Sequence, residues 1–250
     1  MKNQFFGDIR DYRKYGLLRR LSGGKENSSA ICWMLTPDVG GPNGKHTNYL
    51  RQCEKWRHFD KDLFDALRKA VDDDKDRRVG RAETAAVLDP EVFSFHTEIL
   101  KDDIDQRRDY FMRFLSLTEG RDLVFFDPDN GFEINGVRPG TRGASKYLYF
   151  EELSLAFDKG PSIVVFQFFR QVNPEHVITK RALQIFSRLD VKEIVTFKTP
   201  SVIFFLIPQP RHVDEMKERC EQVRQAWPGE LCAVWHKRPD GNGQWQPRSV

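Results

Sequence analysis

The chain has 250 residues, of which 39% are hydrophobic and 12% aromatic, so it is long enough to bury a substantial core. Its net charge of +3 is too small to predict a nucleic-acid partner by itself. It has no apolar run of the roughly 20 residues that a membrane span needs and no apolar segment near its start, so we expect a cytoplasmic protein with no membrane partner.

The first half of the chain alternates helical patterns with short apolar runs. Tyr12, Tyr15, Leu18 and Leu21 recur at helical spacing and predict an amino-terminal helix. Helical spacing also predicts helices over residues 46–59, 61–71 and 103–117. The short apolar runs predict strands over residues 30–36, 91–100 and 121–129.

The second half alternates more clearly. Asn173 as N-cap and Pro174 at the first helical position mark the start of one helix. Helices are predicted over residues 147–158, 173–189 and 211–227, and strands over residues 161–169, 192–199, 201–210 and 231–237.

These elements predict a three-layer α/β fold with a mostly parallel, doubly wound sheet. The strands are apolar on both faces and alternate with helices, which is typical of a parallel sheet covered on both sides. Two strands joined at Thr199-Pro200 without a helix predict an antiparallel strand near one edge. We expect one domain over residues 1–238 and a loop-like tail over residues 239–250.

Acids and turn-forming residues follow two of the predicted strands directly. Asp38, Gly40 and Gly41 come after the first strand, and Asp127 and Asn130 come after the third. Ligands of doubly wound sheets bind beyond the carboxyl ends of the strands, so these residues are candidates for one site. Each segment is also ordinary turn chemistry.

Two of these segments resemble methyltransferase motifs. A strand followed by Asp127-Pro128 resembles the Asp/Asn-Pro-Pro-aromatic motif of amino-directed, S-adenosylmethionine-dependent methyltransferases. The segment Gly7-Asp8-x-x-Asp11-x-x-Lys14-Tyr15 is similar to the Gly-Asn-x-x-Asp-x-x-Lys-His segment of the adenine-N6 methyltransferases of large-subunit ribosomal RNA.

The resemblance implies a specific chemistry. Asp127, Pro128 and Asn130 would form the catalytic loop, where Asp127 and the Pro128 carbonyl accept N–H bonds from an adenine amine. S-adenosylmethionine would lie around Lys14, Asp38, Gly40 and Gly41 (both glycines from the loop after the first strand). The amine is accessible only on an unpaired or flipped base.

The motif also departs from the family pattern. Asp129 and Asn130 stand where the second proline and the aromatic residue are found, and the aromatic residue is the one that stacks on the base. Phe132 offers a ring at a shifted position. The other phenylalanines near strand ends, including Phe166 and Phe168, are predicted to be core, and Gln167 to be a hydrogen-bonded core amide.

A basic segment follows the catalytic loop. Arg138, Arg142, Lys146 and Tyr147 interleave cations with an aromatic ring, which suits phosphates and unstacked bases and predicts a nucleic-acid partner. The same composition is found in ordinary surface loops and in lids over active sites.

The acids leave two other functions open. Asp38, Asp127 and Asp129 are oxygen ligands suited to Mg²⁺ or Mn²⁺, as in a metal-dependent nuclease or phosphohydrolase. A methyltransferase-like fold that only binds nucleic acid or protein is the third possibility. The sequence does not distinguish RNA, DNA and small-molecule substrates, and it does not give the oligomeric state.

Overall fold

The computed structural model describes residues 1–26, 28–38, 46–169, 172–239 and 247–249. The α-helices are α1 Ile9–Ser22, α2 Cys53–Trp56, α3 Lys61–Arg68, α4 Ile104–Leu117, α5 Phe150–Asp158, α6 Pro174–Arg188 and α7 Val213–Ala226. The strands are β1 Ser29–Cys32, β2 Phe93–His96, β3 Leu123–Phe126, β4 Gly131–Phe132, β5 Tyr147–Leu148, β6 Ser162–Phe168, β7 Glu193–Lys198, β8 Val202–Ile207, β9 Cys232–Lys237 and β10 Pro247–Ser249.

The described residues form one large sheet with the strand order β10-β9-β7-β8-β6-β3-β1-β2. Strands β2, β1, β3 and β6 are mutually parallel. Strand β8 is antiparallel to both β6 and β7, and β9 is antiparallel to β7. Most strands therefore run in one direction, with β8 and β9 reversed, which confirms the predicted mostly parallel α/β sheet. Strand β8, in the hairpin that Thr199-Pro200 closes, is antiparallel as predicted, but it lies fourth from the β10 edge; the reversed strand near that edge is β9.

Each face of the sheet has its own hydrophobic core. Leu123 and Phe125 of β3 belong to a cluster with α1, α3 and α7, whereas Val124 and Phe126 belong to a cluster with α4, α5 and α6. Successive side chains of a strand point to opposite faces, so an all-apolar strand must be covered on both sides. The alternation produces the three layers that the sequence predicts.

The chain crosses from one side of β1 to the other at the centre of the parallel half. Strand β1 pairs with β2 on one side and with β3 on the other. This is the topological switch point, where adjacent strand ends diverge and leave a crevice. Helix α1 begins at this end of the sheet, where the Asp8 side chain accepts hydrogen bonds from the backbone N–H groups of Arg10 and Asp11.

Two local predictions differ from the structure. Residues Pro247–Ser249, in the segment predicted to be a loop-like tail, form β10 and pair with β9 through the backbone, which satisfies the edge of that strand. Residues Tyr147–Leu148, predicted to begin a helix, form β5 beside β4, and α5 begins only at Phe150. In the part of the chain that is described, no helix has the length and apolarity required to cross a membrane.

Candidate functional site

A pocket of about 310 Å³ opens at the carboxyl ends of β3 and β6. Its walls come from the loop after β3, from the end of β6 and from the first turns of α1. This volume lies at the lower end of the range for small-molecule sites, roughly 300–1,000 Å³. The lining includes Lys14 and all three predicted catalytic residues, which are Asp127, Pro128 and Asn130.

The centre of the site is the buried ammonium group of Lys14. Its Nζ lies 2.7 Å from Asp11 Oδ1 and 2.7 Å from Asp127 Oδ2. Lys14 and Asp127 are 1% and 2% exposed, so neither charge is screened by bulk water. Burial lowers the pKa of Lys14, but the two carboxylates outweigh that effect and raise it, so the ammonium group stays charged. The contact joins the two motifs that the sequence singles out.

The acids of α1 add negative charge to the same wall. Burial, reinforced by Asp8 and Asp127 and opposed by Lys14, raises the pKa of Asp11 to about 6. Oδ1 of Asp8 accepts the backbone N–H bonds that begin the helix. Oδ2 of Asp8 is buried, receives no hydrogen bond from a described residue, and lies 3.6 Å from the Arg10 guanidinium group. The wall thus retains capacity to bind a cation or an N–H donor.

The Asp129 carboxylate connects the loops around the crevice through a hydrogen bond and two ion pairs. Its carboxylate accepts a hydrogen bond from Thr36 Oγ1 at 2.8 Å and lies 3.0 Å from the amino group of Met1 and 3.6 Å from Lys2 Nζ. Burial disfavours its charge, but Met1, Thr36 and Lys2 outweigh burial and lower the pKa of Asp129. Because Thr36 follows β1, this carboxylate ties the loop after β1 to the loop after β3.

The cofactor residues predicted after β1 are not all placed at the pocket. Asp38 is exposed, accepts a hydrogen bond from the backbone N–H of Gln4 and does not line the pocket. Gly40 and Gly41 lie outside the described residues. Strands β1 and β3 are neighbours as predicted, but only the β3 loop contributes its acid to the pocket wall.

A buried amide fixes the loop after β3 from beneath. Gln167 Nε2 donates hydrogen bonds to the Asn130 carbonyl at 2.8 Å and to the Phe168 carbonyl at 2.7 Å, and its Oε1 accepts one from the Phe132 N–H at 3.1 Å. Gly131 has φ +105°, and a Cβ there would lie 2.4 Å from the Gln167 amide. Gln167 is therefore a hydrogen-bonded amide as predicted, and it also positions Asn130.

The aromatic residues of the site differ from the sequence prediction. Phe132 is fully buried, stacked on Phe150 at 5.2 Å and in edge contact with Phe205 at 5.5 Å, so it cannot stack on a ligand. Phe166 and Phe168, predicted to be core, pack against the core of the α1 face but are only half-buried and also line the pocket. Their position at the carboxyl end of β6 was the available signal, because strand ends in this half of the sheet form the crevice.

The basic segment contributes only its last part to the pocket. Lys146 is exposed and lines the pocket, and the half-buried Tyr147 follows it in β5. Arg138 and Arg142 are exposed and lie outside the pocket lining. Their position therefore does not support the predicted role at the site.

Two charged residues that the sequence did not single out hold this segment in place. The Asp102 carboxylate accepts hydrogen bonds from the N–H groups of residues 143 and 145, at 2.7 and 2.8 Å. Arg107 donates to the carbonyls of Ala144 and Tyr147 and pairs with Glu152. Residues 143–147 are thus anchored to α4 and α5, which argues against a mobile lid there. At the start of a helix, such charges look like ordinary surface residues, so the sequence carried no signal.

The carboxylates are not arranged as a metal centre. Among the residues that the structure describes, no group of three or more His, Cys, Asp or Glu side chains is placed to hold a metal ion. Asp127 is paired with Lys14, Asp129 is paired with Met1 and Lys2, and Asp38 does not line the pocket. The geometry gives no support to the metal-dependent alternative built on these three acids.

Comparisons with known proteins give no family assignment. No protein-family model matches the chain, and no curated protein matches it. A crystal structure of protein LPL1258 from Legionella pneumophila, described as a DUF519 protein, superposes with a TM-score of 0.49 at 12% sequence identity. The match covers 92% of this chain and 97% of that chain. This likeness is too weak to carry a conclusion.

Proposed function

We propose that the protein is an S-adenosylmethionine-dependent methyltransferase that acts on the N6 amine of adenine in a nucleic acid. One observation carries the proposal: the 2.7 Å contact between Lys14 Nζ and Asp127 Oδ2. It joins two motifs that are 113 residues apart and that resemble two motifs of the same enzyme family. It does so at the wall of a pocket at the carboxyl ends of parallel strands, where α/β sheets bind their ligands.

The side chains of the pocket suit the proposed cofactor. S-adenosylmethionine supplies an electrophilic methyl group on a sulfonium cation and also carries an ammonium group. The acidic wall of Asp8, Asp11 and Asp127 favours cations, and Oδ2 of Asp8 accepts no hydrogen bond from a described residue, although it is ion-paired with Arg10 at 3.6 Å. We expect Asp8, Asp11 and Lys14 to hold the cofactor, with Asp38 at the outer end.

Asp127 and Pro128 then act on the substrate amine. The lone pair of an adenine amine is delocalised into the ring, so the amine is a weak nucleophile. A carboxylate and a carbonyl that accept its N–H bonds favour the geometry in which the nitrogen attacks. Lys14 Nζ fixes the Asp127 side chain by a hydrogen bond of 2.7 Å, so Asp127 serves as a positioned acceptor. The proton that the amine loses on methylation passes to water.

Cations near the pocket favour a nucleic-acid substrate. Lys146 is exposed at the pocket rim, and Arg10 lies with its guanidinium carbon 5.2 Å from the Phe168 ring centre. We expect both to contact phosphates on either side of an extruded base. Arg138 and Arg142, farther out, are candidates for contacts with the flanking backbone.

A second candidate, a binding protein without activity, is favoured by one specific observation. The Met1 amino group donates to the carbonyls of Met34 and Asp127, and Lys2 Nζ donates to the carbonyl of Pro37. Residues 1 and 2 therefore bridge the loops after β1 and β3. A ligand that enters between those loops would have to displace them.

Methyl transfer from labelled S-adenosylmethionine to single-stranded RNA and DNA separates the two candidates. We expect label in N6-methyladenosine after digestion to nucleosides, and a loss of about 100-fold in Asp127→Ala, because alanine has no side-chain oxygen to accept the amine N–H bond. Asp190→Ala, at a fully exposed acid, is the control and should behave as wild type. If the folded protein binds the nucleic acid but no label appears in the nucleosides, the result would favour the inactive binding protein.

A further inference from the structure

The pocket has an aromatic wall in a place that the sequence motif does not predict. Phe166 and Phe168 lie two residues apart on β6, so both side chains point to the same face of the sheet. Both are half-buried, pack against the core of the α1 face and line the pocket that also contains Asp127. The Arg10 guanidinium carbon lies 5.2 Å from the centre of the Phe168 ring, so a base would stack there as Arg10 turns away. Phe169, the next residue, packs against the hydrophobic core on the other face.

A second feature of the same pocket is an amide with unmet hydrogen-bonding capacity. The side chain of Gln4 lines the pocket, and its Nε2 and Oε1 are both buried without a partner among the described residues. Asp8 Oδ2, in the same lining and in a side chain that is 1% exposed, also accepts no hydrogen bond from a described residue, although it is ion-paired with Arg10 at 3.6 Å. Buried polar groups are rarely left unpaired in folded proteins, so these atoms indicate a polar ligand.

The two features together have the chemistry of a purine site. A ring wall binds a planar base on its face, and stacking of this kind is sequence-tolerant. A carboxamide N–H group can donate to the N7 acceptor of adenine, which leaves both N6–H bonds for Asp127 and the Pro128 carbonyl.

We infer that Phe166 and Phe168 stack on the unpaired target adenine while the Gln4 amide reads its edge. This inference rests on the proposed function. In it, the two rings take the place of the aromatic residue that the catalytic motif lacks. The rings come from β6 and not from the loop after β3, because Phe132 is sealed beneath Phe150 and Phe205. A duplex cannot present a base to this wall without flipping it, so single strands are the preferred substrates.

Binding of a fluorescent single-stranded RNA that carries 2-aminopurine at one position tests the inference without the cofactor. The wild-type protein should quench the 2-aminopurine by stacking and should bind the same sequence more weakly as a duplex. Phe168→Leu and Phe166→Leu keep an apolar side chain and should each weaken binding about tenfold and restore the fluorescence.

Matched controls separate a lost ring contact from a general loss of stability. Phe169→Leu changes the neighbouring ring on the other face and should bind as wild type. Gln4→Leu should reduce the preference for adenine over uracil, whereas Gln52→Leu, at an exposed amide, should not. Phe168→Tyr keeps the ring and should retain binding if the role is stacking.

The outcomes also distinguish this inference from the proposed function. Equal losses in Phe168→Leu and Phe169→Leu, or no quenching by the wild-type protein, would overturn the stacking role. A Phe168→Leu protein that loses S-adenosylmethionine affinity but keeps RNA affinity would assign the wall to the cofactor and also overturn it. Ring-dependent RNA binding without any methyl transfer would refute the proposed enzyme and leave the base site standing.

Discussion

The two halves of the sheet treat buried polar groups in opposite ways. In the parallel half, Lys14 and three nearby acids are gathered at the carboxyl ends of the strands beside an open pocket. In the antiparallel half, Thr196 Oγ1 and His236 Nε2 form a neutral hydrogen bond of 2.7 Å between β7 and β9. Buried neutral pairs serve stability at low cost, whereas buried charges are costly and are found mainly where a function needs them.

The largest expected effect comes from removing the central cation of the parallel half. Lys14→Met leaves Asp11 and Asp127 buried without their counter-charge and should cost about 3–5 kcal/mol of unfolding free energy in urea titration. Lys25→Met removes an exposed lysine paired with Asp122 and should cause no measurable change. Similar losses of unfolding free energy in the two variants would show that Asp11 and Asp127 do not need the Lys14 charge for stability.

The pH dependence of stability should have opposite signs at His236, in the antiparallel half, and at Asp11, in the parallel half. Burial lowers the pKa of His236 to about 4, so its contribution is complete above pH 6.5 and is lost as the pH falls toward 4, by about 3 kcal/mol. The raised pKa of Asp11, about 6, acts the other way: its contribution is complete below pH 3.8 and is lost as the pH rises through 6.

Urea titrations of three proteins between pH 4 and 7 separate these contributions. His236→Gln should lose less stability than wild type on acidification, and Asp11→Asn should lose less on the rise toward neutrality. His96 and His212 also have lowered pKa values and act in the same direction as His236, so only differences from wild type are informative. Parallel curves for His236→Gln and wild type would contradict the neutral, buried state of that ring.

A smaller effect is expected at the loop that carries Asn130. Gly131→Ala forces a side chain onto φ +105° and into the Gln167 amide, at a cost of about 2 kcal/mol, within the usual range for strained backbone. Gly120 also has a positive φ, but an added Cβ there would have no atom within 4 Å, so Gly120→Ala should cost only about 1 kcal/mol. Equal costs in thermal or urea unfolding would mean that Gln167 yields readily and does not fix the loop.

The smallest expected effect is that of divalent metal. Because no cluster of ligands is formed among the described residues, Mg²⁺ or Mn²⁺ should leave the melting temperature unchanged. A rise with Mn²⁺ that disappears in Asp127→Asn would revive the nuclease or phosphohydrolase alternative. Asp190→Asn provides the control for a general loss of charge.

Much of the fold was predictable because its signals are local. Continuous apolar runs mark strands covered on both faces, and Asn173 with Pro174 marked the start of α6 correctly. Strand β10 was missed because edge pairing is made by the backbone and leaves little trace in composition. The early start predicted for α5 failed because Tyr147–Leu148 pairs with Gly131–Phe132, which is a contact distant in sequence.

The site was predictable only where a motif fixed both the residue and its surroundings. Lys14 and Asp127 carried recognisable spacing, and the structure brings them together. Phe166 and Phe168 read as core because an apolar strand gives no sign of where its coverage ends. The role of Arg107 could not be predicted from the sequence, because a charged residue on a helix is normally exposed. Only the folded structure shows that Arg107 is buried.

Titration calorimetry with S-adenosylmethionine is the most direct test of the proposed cofactor pocket. We predict saturable binding to the wild-type protein, matched by S-adenosylhomocysteine, and a clear loss of affinity in Asp8→Asn, whose carboxylate lies in the pocket wall. A folded wild-type protein that releases no heat with either compound at millimolar concentration would contradict the account.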